Sequence, residues 1–314
     1  MKNEELIAIR DGFGKGIVKA GADKNVYALC ADLDESLRLE EFKKIYPEQF
    51  VECGVAEQNM IGIAAGLALT GKIPFACSFA CFSPGRTFDQ IRVSVCYQKS
   101  NVKIVGGHAG LSVGEDGATH QMMEDIAMMR ALPNMTVIVP ADAYQAENMV
   151  AAAIKHDGPV YMRLSRAKTA LVTDPKEPFM IGKSAVMKTG KDLTIVACGI
   201  MVAFALEAAE ILKKDGIDAE VINASTIKPF DNDTLLKSAK KTQKVVTIEE
   251  HQIHGGLGST VAEVLSQHLP TPLHIIGMPD EFGQSGEAMA LLEYYGFTAK
   301  SLAERITQVL NSKF

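Results

Sequence analysis

At 314 residues the chain is long enough for about two domains, each burying its own core. Hydrophobic residues make up 47% and charged residues 22%, while 32 basic against 38 acidic side chains give a formal charge of −6 with no basic block; this balance argues against a general nucleic-acid binder. No run reaches the roughly 18 uncharged apolar residues of a membrane span, and Met1-Lys-Asn-Glu-Glu-Leu carries acids where a signal peptide needs a basic and then an apolar stretch, so a cytoplasmic protein with no membrane partner is expected.

Short apolar runs alternating with helical stretches predict parallel α/β layers. Strands are expected at Val26–Cys30, Pro74–Phe79, Val102–Val105, Thr136–Val139 and Val160–Leu164. Helices are expected at Asn59–Leu69, Phe88–Tyr97, Met122–Ala131 and Ala143–Ala153, with a long polar, glycine-rich loop over Gly106–Gln121. Thr173-Asp-Pro-Lys-Glu-Pro-Phe is the most linker-like stretch. It divides a first domain (1–172) from a linker (173–184) and a second domain (185–314). Beyond it, strands are expected at Leu193–Ala197, Ile217–Ile222, Val245–Ile248 and Leu273–Ile276. Helices fall between them, one ending near Lys213, one over Asp233–Ala239, one opened by Gly255-Gly-Leu-Gly-Ser and one closing the chain at Ser301–Leu310.

Several motifs have a plain structural reading. Asp11-Gly-Phe-Gly-Lys-Gly follows no apolar strand and matches neither of the common phosphate-loop spacings, so it is set aside. Cys77-x-x-x-Cys81 lacks a second ligand pair, and His251-x-x-His254 lacks a third ligand, so packing and capping explain both and no metal site is expected. The six cysteines, mostly inside apolar runs, read as reduced small hydrophobes.

Three segments ask for more. Gly106–Gln121 packs His108, Glu115, Asp116 and His120 among five glycines directly after a buried strand, where ligand crevices of α/β sheets form. Glu57 enters an Ala/Gly-rich apolar helix, where partial desolvation strengthens it as a proton donor or hydrogen-bond partner; a first-turn acid that favours the helix dipole is the simpler alternative. Ser78-Phe-Ala-Cys-Phe-Ser sets Phe79 and Phe82 three apart at a strand end, which core packing alone also explains.

Together these segments resemble the transketolase family, thiamine-diphosphate enzymes that move two-carbon ketol units. Gly54-Val-Ala-Glu-Gln-Asn-Met is similar to the family's glutamate motif, Ser78-Phe-x-x-Phe to its aromatic pocket, and Gly114-Glu-Asp-Gly-Ala-Thr-His-Gln to its long loop signature. His108 stands twelve residues before His120, as the family's pair does. Ile9-Arg10, Ala31-Asp-Leu-x-x-Ser36, Pro133-Asn-Met, Pro140-Ala-Asp and Leu164-Ser-Arg166 also match. The family's G-D-G…N motif, which holds magnesium and the diphosphate, is missing: no Gly-Asp-Gly occurs. The resemblance is therefore to the C-terminal subunit of a split transketolase, a pyrimidine-binding domain with mostly parallel sheet followed by an α/β C-terminal domain.

The resemblance implies that a separate N-terminal subunit binds the diphosphate and Mg2+ in an α2β2 assembly, and that this chain alone is inactive. It implies thiamine diphosphate with its pyrimidine held by Glu57, Phe79, Phe82 and Asp32, Glu57 bonding the ring nitrogen N1′ and so activating the thiazolium. Glu57, His108 and His120 would be catalytic, and Arg10, Ser36, His108, Asp116, His120 and Arg166 would bind the sugar phosphate. The second domain, matching no catalytic motif, would serve assembly. Alternatives are the β subunit of a 2-oxoacid dehydrogenase E1 component, a deoxyxylulose-phosphate-synthase-like fragment, and a non-catalytic scaffold paralogue.

Overall fold

The computed structural model describes residues 5–312, so the acidic start Met1–Glu4 lies outside the described residues. Strand β1 (Leu6–Ala8) leads straight into α1 (Ile9–Ala20), followed by β2 (Val26–Cys30), α2 (Glu40–Ile45), β3 (Phe50–Glu52), α3 (Glu57–Leu69) and β4 (Ile73–Phe79). A short α4 (Phe88–Gln90) continues as a π-helix over Ile91–Tyr97, then β5 (Lys103–Gly107), α5 (Asp125–Ala131), β6 (Thr136–Ile138), α6 (Ala143–Lys155), β7 (Val160–Arg163) and β8 (Lys168–Ala170). The second series runs β9 (Ala185–Lys188), β10 (Leu193–Ala197), α7 (Met201–Lys214), β11 (Ala219–Asn223), β12 (Thr226–Lys228) and α8 (Asn232–Thr242). It ends with β13 (Val245–Gln252), α9 (Leu257–His268), β14 (Leu273–Met278), α10 (Ala288–Tyr294) and α11 (Ala299–Asn311).

The first sheet has the order β12-β6-β7-β5-β4-β2-β3, parallel except for β12, and the second the order β14-β13-β10-β11-β9, parallel except for β9. This is the α/β, mostly parallel architecture expected. Alternation along the buried strands serves two faces at once. Val26, Ala28, Phe75, Cys77 and Val105 pack with Ile9, Phe13 and Ile17 of α1 and Met149 of α6. Leu29, Ala76 and Ile104 pack on the other face with Met60, Ile61 and Ala64 of α3 and Ile91 and Val95 of the π-helix. Strand β12 comes from the second series yet pairs antiparallel with β6, so the second half supplies an edge strand to the first sheet.

The glycines of Asp11-Gly-Phe-Gly-Lys-Gly belong to the interior of α1 and are a packing surface. A Cβ on Gly12 would lie 1.9 Å from the Ala143 carbonyl oxygen at the start of α6, and one on Gly16 would lie 2.9 Å from Val150 Cγ2. Close approach of two helix backbones overrides the local cost of glycine in a helix. The face of α3 turned away from the sheet is left open: Gln58, Asn59, Gly62, Gly66 and Leu69 are exposed, as are Val93 and Tyr97 of the π-helix. A helix that is apolar on nearly every side yet open on one ordinarily faces another protein surface.

Candidate active site at the strand ends

The six parallel strands of the first sheet end on one edge, and every candidate residue but Arg10 lies at or after the end of one of five of them: Asp32 and Ser36 after β2, Glu57 after β3, Phe79 at the end of β4 with Phe82 after it, His108 through His120 after β5, and Arg166 after β7. Arg10 sits in the first turn of α1. Open α/β sheets offer their ligand crevice at this edge.

The rings form the centre. Phe79 and Phe82 stack with centroids 5.9 Å apart and planes 18° apart. His108 stacks on Phe79 at 3.8 Å, and His120 meets Phe82 edge-on at 5.4 Å. His108 takes a left-handed backbone conformation, φ 52°, a geometry that costs a non-glycine residue about 1–3 kcal/mol. In that conformation the ring stacks on Phe79 and lies beside the Arg10 guanidinium.

Arg10 Nη1 reaches the Ser36 carbonyl at 3.0 Å and His108 Nε2 at 3.4 Å. A guanidinium only donates, so His108 Nε2 accepts and the ring proton sits on Nδ1, which is buried without a hydrogen-bond partner among the described residues. Burial, reinforced by the charges of Arg10, Arg166, Arg38 and His120, pushes the His108 pKa down to about 3. The ring is therefore neutral at neutral pH and can donate a hydrogen bond from Nδ1 without carrying charge. Arg166 donates to the Val113 carbonyl at 2.7 Å and pairs with Glu115 at 3.0 Å, which ties the loop to the end of β7. His120 Nδ1 is 2.9 Å from Thr119 Oγ1.

Glu57, the first residue of α3, is 2% exposed, as its apolar helix predicted. Its Oε2 accepts from Arg86 Nη1 at 3.0 Å, and the Arg86 guanidinium lies 4.7 Å above the Phe82 ring. Glu57 therefore joins the aromatic cluster through Arg86. Asp32 and Asp116 are exposed, and neither side chain makes a hydrogen bond among the described residues. The Asp32 N–H instead donates to Glu52 Oε1 at 2.9 Å, and the same oxygen takes the Gly54 N–H at 2.8 Å, so one carboxylate joins the two loops that carry Asp32 and Glu57.

Sequence reasoning passed over Arg86, Arg38 and Glu52. Arg86 had a signal, a cation four residues after Phe82 within reach of its face. Glu52 had none, because its role depends on which two loops the sheet sets side by side.

Residues 5–170 match the family model "Transketolase, pyrimidine binding domain", and residues 182–302 match "Transketolase, C-terminal domain". The chain belongs to the transketolase family. It is 48% identical to a putative transketolase C-terminal section of Methanocaldococcus jannaschii over 309 residues, covering 97% of each chain. It is 44% identical to a 6-deoxy-6-sulfo-D-fructose transketolase subunit of a Clostridium strain, covering 94% of this chain and 91% of that one. The solved structure of a split-gene transketolase, described as an inactive β4 tetramer, superposes with a TM-score of 0.91 at 48% identity and covers 98% of this chain and 100% of that one.

Within this transketolase-family chain, Glu249 and His251 lie together at the start of α9. Glu249 Oε2 and Oε1 accept the Leu257 and Gly258 N–H groups at 2.7 and 2.8 Å, capping α9, and His251 is fully buried beside it. All six cysteines are free, and burial raises the thiol pKa of Cys77 and Cys198. Among the described residues no three His, Cys, Asp or Glu side chains gather as a metal site, and no helix is long and apolar enough to cross a membrane.

Proposed function

We propose that this chain is the C-terminal subunit of a split transketolase that transfers a two-carbon ketol unit from a ketose phosphate to an aldose phosphate. The observation that carries the reading is the meeting of a buried carboxylate, a stacked aromatic pair and two histidines at one edge of the sheet, with Arg10, Arg38 and Arg166 close enough to act on His108. Bound there, thiamine diphosphate would supply the acyl-anion chemistry that side chains lack.

The residues fit that group. Phe79 and Phe82 offer flat apolar area, worth roughly 0.5–1.5 kcal/mol beyond burial for an aromatic partner. Glu57 is desolvated but has one of its oxygens free of Arg86, so it can bind the pyrimidine N1′. Asp32 would lie near the cofactor at the subunit boundary. His108 donates from its unpartnered Nδ1 to a reacting oxygen, and His120 contacts the neighbouring hydroxyls. Asp116 binds the hydroxyl next to the acceptor aldehyde. Arg10, Ser36 and Arg166 receive the phosphate, which guanidinium forks suit and which explains how a chain of charge −6 takes an anion.

The diphosphate and Mg2+ belong, in this reading, to a separate N-terminal subunit in an α2β2 assembly in the cytoplasm. The open apolar face of α3, which begins at Glu57, supports a partner surface beside the site. The β4 relative described as inactive supports a chain that self-associates without its partner and does not turn over.

The test is to tag the chain, recover it from its source, and assay ketol transfer from xylulose 5-phosphate to ribose 5-phosphate with thiamine diphosphate and Mg2+. Activity confined to fractions holding a second polypeptide is expected. A co-purifying partner with no transfer from any phosphorylated or sulfonated ketose, or a lipoyl-directed oxoacid activity, overturns the reading.

A further inference from the structure

The glycine-rich loop that follows β5 is braced by the second domain. Glu250 of β13 is fully buried, and its Oε2 accepts the Ser112 N–H at 3.0 Å across 138 residues of sequence. Gly110, at φ +87°, leaves the space its other oxygen occupies: a Cβ there would lie 1.9 Å from Glu250 Oε1. Further along, Gln121 Nε2 donates to the Gln284 carbonyl at 3.0 Å, and a Cβ on Gly117 would lie 2.2 Å from Ser285 Oγ. The glycines at 110 and 117 therefore fit the loop against two parts of the second domain.

We propose that Glu250 is a positioning residue, holding the Gly106–Gln121 loop from the second domain so that His108, Asp116 and His120 keep their places. This rests on the catalytic reading of those three side chains. Four groups from other elements act on Glu250: Arg163, Asp125, Ser112 and Cys198. Arg163 Nη2 donates to the Glu250 backbone carbonyl at 2.7 Å, while the rest of that guanidinium serves Asp125. Asp125 also takes the Tyr161 hydroxyl at 2.7 Å, and the Ser112 N–H is the group that bonds the Glu250 carboxylate. Among the described residues no cation bonds the Glu250 carboxylate itself, and its Oε1 is buried without a hydrogen-bond partner.

Burial, only partly offset by Arg163 and Ser112, lifts the Glu250 pKa from 4.5 to about 7. The sign follows: the fold favours the neutral acid, so this contribution to stability is full below 4.5 and is lost as pH rises through about 7. Ionisation acts oppositely on the contact, because a carboxylate accepts the Ser112 N–H more strongly than a neutral acid does.

The experiment is hydrogen exchange on the full chain without cofactor, corrected for intrinsic rates and read on peptides spanning residues 108–122 from pH 5.5 to 8.5. Wild type should gain protection in this loop with a midpoint near 7. Glu250→Gln should flatten that pH dependence, and Glu250→Ala should lower loop protection about tenfold while α1 and β10 stay protected. In the assembled enzyme Glu250→Ala should lower kcat with little change in KM. A wild-type loop whose protection is independent of pH, or a midpoint that survives in Glu250→Gln, overturns the proposal. Neither exchange result depends on ketol transfer, so failure of the transketolase reading is seen separately, and the wild-type and Gln series stand if the Ala variant does not fold.

Discussion

Two buried carboxylates in the first domain carry an arginine at nearly the same distance and do opposite things. Asp125 meets Arg163 at 2.9 Å with both side chains sealed, 0% and 2% exposed, and it also takes the Tyr161 hydroxyl. Glu57 meets Arg86 at 3.0 Å, but there the cation is 50% exposed and only one carboxylate oxygen is engaged. The first carboxylate has every acceptor committed to the protein and serves as a strut between β7 and α5. The second keeps an oxygen unengaged and a partner that water can take back. Burial of a charge does not by itself mark a working site; under the proposed function it is the buried carboxylate with a half-exposed partner that does the chemistry.

The comparison breaks first where the strut is cut. Asp125→Ala leaves Arg163 buried without its counter-charge, which should cost about 3–5 kcal/mol in urea unfolding. Glu57→Gln keeps shape and burial and should leave the unfolding midpoint close to wild type. Equal losses in the two variants would mean that both carboxylates are struts.

The second effect runs the other way. In the assembled enzyme Glu57→Ala should lower turnover about 10²–10⁴-fold, the usual span for losing a positioned proton-transfer partner, while the chain still assembles. An unchanged turnover would remove Glu57 from the chemistry and with it the proposed function.

These two carboxylates also mark how far the sequence could be read. Glu57 announces itself locally, as an acid at the start of an apolar run, and the strand over Leu193–Ala197 is legible residue for residue because all five side chains are buried. The ring cluster was legible for a similar reason, since its members lie in two short contiguous motifs. The helix over Ile9–Ala20 was not: glycines at 12, 14 and 16 look like a loop until α6 is known to lie against them. The stretch Phe88–Tyr97 was expected as one helix and becomes a single turn running into a π-helix, a register change that no local pattern signals. Likewise β12 gives no hint that it will leave its own sheet, and Glu250 carries no motif at all. What stays hidden is decided by pairings over a hundred residues apart.

A smaller effect would separate the proposed phosphate contact from the proposed chemistry. Arg10→Ala should raise KM for a phosphorylated donor roughly tenfold, the loss of about one charge-assisted hydrogen bond. For hydroxypyruvate, a donor with no phosphate, KM should hardly move. Equal rises for both would mean that Arg10 serves His108, which it approaches at 3.4 Å, rather than the phosphate.

The smallest effect concerns the pair that opened the comparison. Arg86 stacks on Phe82 and bonds Glu57, but half of it is in water, so its attraction is screened and the pair should contribute no more than about 1 kcal/mol to the stability of the cofactor-free chain. A double-mutant cycle isolates that share. Arg86→Ala should lower the thermal midpoint by a few degrees in the wild-type background, because it leaves a buried carboxylate unpaired. In the Glu57→Gln background it should lower the midpoint by less, since only the stacking on Phe82 is then lost. Additive effects would mean that Arg86 acts through the ring alone, and that Glu57 is held in its desolvated place by α3 and the packing around it.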